Sequence, residues 1–95
     1  MTLDEFMDKV PWADMRVMPA GWIAGRIRTK SEPGMCPIAA VTGDPYDTGI
    51  PHTAGARIGL GAYAVHVIVN AADNFTSSDD ERSLRADMLR RMAAR

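Results

Sequence analysis

Cys36, the only cysteine of the chain, stands directly before proline in Gly34-Met35-Cys36-Pro37-Ile38-Ala39-Ala40-Val41-Thr42-Gly43. Proline suits the first position of a helix and glycine the residue beyond its end. The spacing therefore predicts a short helix over Cys36–Thr42 with the thiol at its start. A thiol at a helix N-terminus is favoured as thiolate, which is one way a nucleophile is made. His52 or His66 could then serve as base, with Asp73 orienting the imidazole. No nucleophile signature surrounds Cys36, however, and free cysteine is among the most buried residue types. The economical reading is a small core residue that starts a helix, so no catalytic residue is assigned.

The same four side chains make a poor metal set, because no two of them have a short paired spacing of the Cys-x-x-Cys or His-x-x-x-His kind. Gly55, Gly59 and Gly61 match neither nucleotide-binding glycine pattern. No metal and no cofactor are expected.

A second chemistry is recognition. The chain has seven methionines and two tryptophans, and Met15, Met18, Trp12 and Trp22 fall around one segment. Methionine surfaces adapt to partners, and tryptophan anchors interfaces. Arg26, Arg28 and Lys30 form one local basic cluster. Asp44-Pro45-Tyr46-Asp47-Thr48-Gly49-Ile50-Pro51 is a loop rich in turn formers, the kind of segment on which function often sits. Trp12, Trp22, Arg26, Arg28 and Tyr46 are the candidate partner-binding residues. The plain alternative is that the tryptophans are core and the arginines a solvated strand face.

Those residues must be held by elements, and the elements are readable. Thr2 and Glu5 have capping-box spacing, and Leu3, Phe6, Met7 and Val10 follow on one helical face until Pro11. Pro19-Ala20-Gly21 reads as a turn, joining Met15–Met18 to Trp22–Arg28 in a small β-hairpin with Ile23 and Ile27 on one face and Arg26 and Arg28 on the other. Thr53 is placed to cap a short helix ending at Gly59. The stretch from Ala62 to Ala72 is β-branched, but Leu60, Ala64, Val67, Ile68 and Ala71 keep helical spacing, so a helix is expected. Ser78 and Glu81 form a second capping box before a helix whose buried stripe is Leu84, Met88 and Met92. Glu81–Arg85 and Asp87–Arg91 have the spacing of ion pairs on its wet face. The fold class expected is mainly α: one compact domain over residues 1–95, of four to five short helices with a small β-hairpin.

Composition sets the bounds. The 95 residues are 46% hydrophobic with a net charge of −1, which suits one small core and argues against a polybasic nucleic-acid wrapper. A lone cysteine leaves no intramolecular disulfide to depend on an oxidising compartment. The start of the chain is acidic and amphipathic, and the apolar stretch around Leu60–Ala72 is too short for a membrane span. A cytoplasmic location in a host cell and no membrane partner are expected.

Two resemblances add to this. The run Thr53–Ile68 resembles the helix-turn-helix signature of bacterial and phage regulators, in Gly59 followed by Leu60 and in Val65 and Ile68 at packing positions. Gly55 departs from it, since alanine is usual there. The resemblance implies a recognition helix carrying Tyr63, His66 and Asn70 as the nucleic-acid-binding residues. That helix has no arginine or lysine, although phosphate contacts supply most DNA affinity. Separately, Cys36-Pro37-Ile38 with Ala40-Val41, together with Ile68-Val69-Asn70-Ala71-Ala72-Asp73-Asn74, resembles small uncharacterised proteins of bacteriophages and prophages. It implies a phage or mobile-element context, in which small accessory proteins often bind a host protein, anti-CRISPR and other anti-defence inhibitors among them. The expected function is therefore a non-enzymatic inhibitor that binds and blocks a host protein, as monomer or homodimer. A helix-turn-helix-like nucleic-acid binder is the alternative, and a small Cys36-dependent enzyme the third.

Overall fold

A computed structural model of the chain describes residues 1–18, 21–24, 36–43 and 51–94. The sequence expectations for Arg26, Arg28, Lys30 and the Tyr46 loop lie outside these described residues. The first helix, α1 (Leu3–Lys9), has seven residues, too few to hold in isolation. Both of its ends are tied. The Thr2 hydroxyl accepts the Glu5 N–H at 3.1 Å and the Glu5 carboxylate accepts the Thr2 N–H at 3.2 Å, the capping box that the spacing predicts. At the other end the Met7 carbonyl accepts the Trp12 indole N–H at 2.7 Å and the Arg91 guanidinium at 3.3 Å, which satisfies a carbonyl the helix itself leaves open.

A 3-10 turn, Trp12–Asp14, leads into β1 (Arg16–Val17), which pairs antiparallel with β2 (Ile23–Ala24) in the register Arg16 opposite Ala24 and Val17 opposite Ile23. The predicted hairpin is longer, and its continuation beyond Ala24 lies outside the described residues. Alternation would leave Ala24 on the wet face with the arginines. Instead Ile23 and Ala24 are both fully buried, because α2 (Pro37–Thr42) packs over β2 and a methyl group is small enough to be covered.

Cys36 caps α2, Pro37 opens it and Gly43, at φ 77°, ends it in the left-handed conformation, as the sequence predicts. The next helix, α3, spans Pro51–Arg57, so Thr53 lies inside it rather than capping it. Proline at the first turn loses no N–H that a helix needs. The close of α3 is local: Gly59 at φ 82° donates to the Ala56 carbonyl at 3.1 Å, and Leu60 donates to the Gly55 carbonyl at 2.8 Å, a Schellman pair. Gly55 also has a steric reason. A Cβ there would sit 2.3 Å from Val65 Cγ2, so the absence of a side chain is what lets α3 approach α4 (Ala62–Asp73).

The β-branched run in α4 is helical because Val65, Val67, Ile68, Ala71 and Ala72 all reach the core. Packing outweighs strand propensity here. Asn74, at φ 68°, ends the helix. In α5 (Asp79–Ala93) the Ser78 hydroxyl accepts the Glu81 N–H at 3.2 Å, and Leu84, Met88 and Met92 form the buried stripe. With Phe6, Met15 and Ile23 they complete a core to which all five α-helices and the hairpin contribute. Among the described residues the chain is thus mainly α, five α-helices and a two-stranded antiparallel hairpin, and no helix is long and apolar enough to cross a membrane.

One expected pair does not form. Glu81 is buried, and its carboxylate accepts the Ser77 N–H at 2.8 Å and the Asn70 amide at 3.4 Å. Arg85 instead donates to the Ala71 and Ala72 carbonyls at 2.7 and 3.1 Å, closing the C-terminal end of α4. The Asp87–Arg91 pair forms at 3.2 Å.

Candidate functional site

The two tryptophans of the candidate partner surface part company. Trp12 is 8% exposed, with its indole N–H spent on Met7. Trp12 is a core residue and is not available as a surface anchor. Trp22 is 47% exposed, at the start of the strand that buries Ile23 and Ala24. Arg26, Arg28 and Tyr46 lie outside the described residues.

The fold also exposes an aromatic that sequence reasoning missed. Phe75 follows the left-handed Asn74 and is 69% exposed. Gly21, at φ 92°, lies against the Asn74 side chain: a Cβ on Gly21 would be 3.4 Å from Asn74 Cβ. The hairpin and the end of α4 therefore meet at Gly21 and Asn74, and the next residue along each segment is an exposed aromatic ring. Val17, 45% exposed, sits on the strand opposite Ile23. Phe75 had one legible signal. It is an aromatic in a linker of serine and threonine, outside every periodic apolar stripe.

Cys36 is half-buried by residue, and burial raises its pKa above the ordinary thiol value. Hydrogen bonds from the backbone N–H groups of Ala39 and Ile38 act in the opposite direction but do not win, and the nearby Asp73 carboxylate also disfavours the thiolate. This reverses the effect expected of a helix N-terminus. Asp73 is itself partly desolvated, which pushes its carboxyl up. Among the described residues no group of three or more His, Cys, Asp or Glu side chains is arranged to hold a metal ion.

Tyr63, His66 and Asn70 do share one face of α4, and the acidic start of α5 lies against it. The Tyr63 hydroxyl, on a side chain 65% exposed, donates to Asp80 at 2.8 Å, which raises its pKa. Asn70 bonds to His66 at 3.0 Å and to Glu81, and His66 lies 3.7 Å from Glu81. The Glu81 carboxyl is held below its usual range, first by the Ser77 N–H bond and with help from Asn70. Carboxylates at these positions repel phosphate, so this face is poorly suited to a nucleic-acid backbone.

Next to Tyr63, a groove of about 660 Å³ runs between α4 and α5, with Leu3, Ala64, Val67 and Leu84 among its walls. Set against known proteins, the chain matches no family model, no curated protein and no solved structure.

Proposed function

We propose that the protein is a non-enzymatic interaction module that docks onto a host protein through the corner formed by Trp22 and Phe75 and blocks it. The observation that carries this reading is the pair of exposed aromatics on segments far apart in sequence, joined by the contact of Gly21 with Asn74. Large aromatic side chains are the commonest interface anchors, and leaving two in water at one corner wastes apolar area unless something covers them. The raised thiol pKa of Cys36 supports a non-catalytic role. A phage or mobile-element setting, and with it an anti-defence or anti-CRISPR type of inhibition, rests on the sequence resemblance of Cys36–Val41 and Ile68–Asn74. Nucleic-acid binding through Tyr63, His66 and Asn70 is the weaker reading, since Asp80 and Glu81 occupy those side chains.

The test is quantitative capture from bacterial lysate with tagged wild type, Trp22→Ala, Phe75→Ala and Lys9→Ala, each first shown to be folded by a thermal melt. One host protein should be retained by wild type and Lys9→Ala and be lost with either aromatic variant. A hot-spot truncation commonly costs about 2 kcal/mol of binding or more. Capture that is indifferent to both aromatics overturns the surface assignment.

A further inference from the structure

The groove between α4 and α5 carries charge of opposite sign at its two ends. Asp80 lines one end, while the other has Arg90 and Arg91 with Asp87 paired to both, all on α5. At a rise of about 1.5 Å per residue Asp80 and Arg90 are separated by about 15 Å along the helix. The helix dipole accounts for acidic residues in the first turn and basic ones in the last. It does not account for both facing the same groove, nor for the small exposed Ser83 and Ala86 that lie between them on its lining.

We propose that this groove is the self-association surface of the protein. Two copies pack α5 against α5 in antiparallel fashion about a two-fold axis, so that Asp80 of each copy faces Arg90 of the other. A two-fold interface requires a surface complementary to itself, and an acid-to-base order along one helix is complementary only when the second helix runs the other way. A parallel arrangement sets Asp80 against Asp80. Ser83 and Ala86 fall near the centre of the antiparallel arrangement, where small side chains let two helices approach closely. The Tyr63 hydroxyl fixes Asp80 through one carboxylate oxygen, Oδ2. Arg90 is held by Asp87 through one nitrogen and keeps further donors. Tyr63, 65% exposed, supplies apolar area at the rim. The surface includes neither Trp22 nor Phe75, so it stands independently of the docking corner.

Sedimentation velocity over a concentration series, at low and high salt, tests this. Wild type should form a concentration-dependent dimer that weakens as salt rises. Asp80→Arg and Arg90→Asp should each weaken association about tenfold or more by setting like charges opposite each other, and the double variant should restore it. Because Asp80→Arg also opposes the helix dipole, each variant is checked by circular dichroism. Ala86→Arg provides a second route, as a good helix former at an exposed position that blocks close approach without touching either charge. A chain that stays monomeric throughout the series overturns the proposal. So does a dimer that survives Ala86→Arg, or a folded double variant that fails to reassociate.

Discussion

Trp12 and Trp22 are the same side chain, ten residues apart, in opposite surroundings. Around Trp12 the polar groups bond within the molecule in a connected set. The indole donates to Met7, Arg91 donates to Met7 and to the Asp8 carboxylate at 3.0 Å, and Arg91 also pairs with Asp87. Helix α1 is too short to stand alone, and these bonds from a 3-10 turn and from α5 fix its end. Around Trp22 the two-residue strands bury what lies behind them and leave the indole, Val17 and Phe75 facing water. The first region spends its aromatic on stability. The second leaves its aromatics in water, where the proposed docking corner lies, and the contrast separates a buried tryptophan from an exposed one without reference to chemistry at either.

That contrast breaks most directly at Trp12. Trp12→Ala should destabilise the fold by about 3–5 kcal/mol, through the cavity it leaves and the bond withdrawn from Met7. Urea denaturation monitored by circular dichroism measures it, and a cost no larger than that of Trp22→Ala would erase the distinction. Arg91→Ala tests the same corner from α5. Losing its bonds to Met7 and Asp8 should cost about 1 kcal/mol in the same assay, with part of that loss disappearing at high salt where the Asp8 pair is screened.

The polar closure between α4 and α5 is sharpened by pH. In the folded chain the Glu81 carboxyl titrates below its ordinary value of 4.5, chiefly because the Ser77 N–H bonds its ionised form. Ionised Glu81 therefore stabilises the fold above that value, and its contribution fades as pH falls through the lowered pKa. Wild type should lose more melting temperature between neutral and acid solution than Glu81→Gln. Equal losses would mean that this carboxylate does not hold the corner. The smallest effects belong to the exposed aromatics. Trp22→Ala and Phe75→Ala should each change stability by no more than about 0.5 kcal/mol, in contrast to their effect on partner capture.

Much of the helical framework was legible because its signals are short-ranged. The box of Thr2 and Glu5, the proline and glycine bracketing α2 and the Gly59 stop involve residues within a few positions of one another and form as predicted. Only half of the Ser78–Glu81 box forms, since the Glu81 carboxylate takes the Ser77 N–H instead. The start of α3 was misplaced by three residues for a related reason: a helix capped by Thr53 would begin at Ala54, but α3 begins at Pro51. Glu81 shows where such reasoning stops. Its spacing to Arg85 is that of an ion pair on a wet face, yet the side chain turns into the corner toward Ser77 and Asn70. Arg85 in turn reaches carbonyls of α4.

The sequence by itself determined where chain segments become helix and where most of them end, because capping, proline geometry and left-handed glycine act between neighbours in the chain. Only the tertiary structure decided which tryptophan is core, that Gly21 meets Asn74 just before two exposed aromatics, that Gly55 makes room for Val65 and that burial raises the Cys36 thiol. Each of these depends on atoms brought together from distant parts of the chain. Burial and desolvation are properties of that assembly, and no local spacing encodes them.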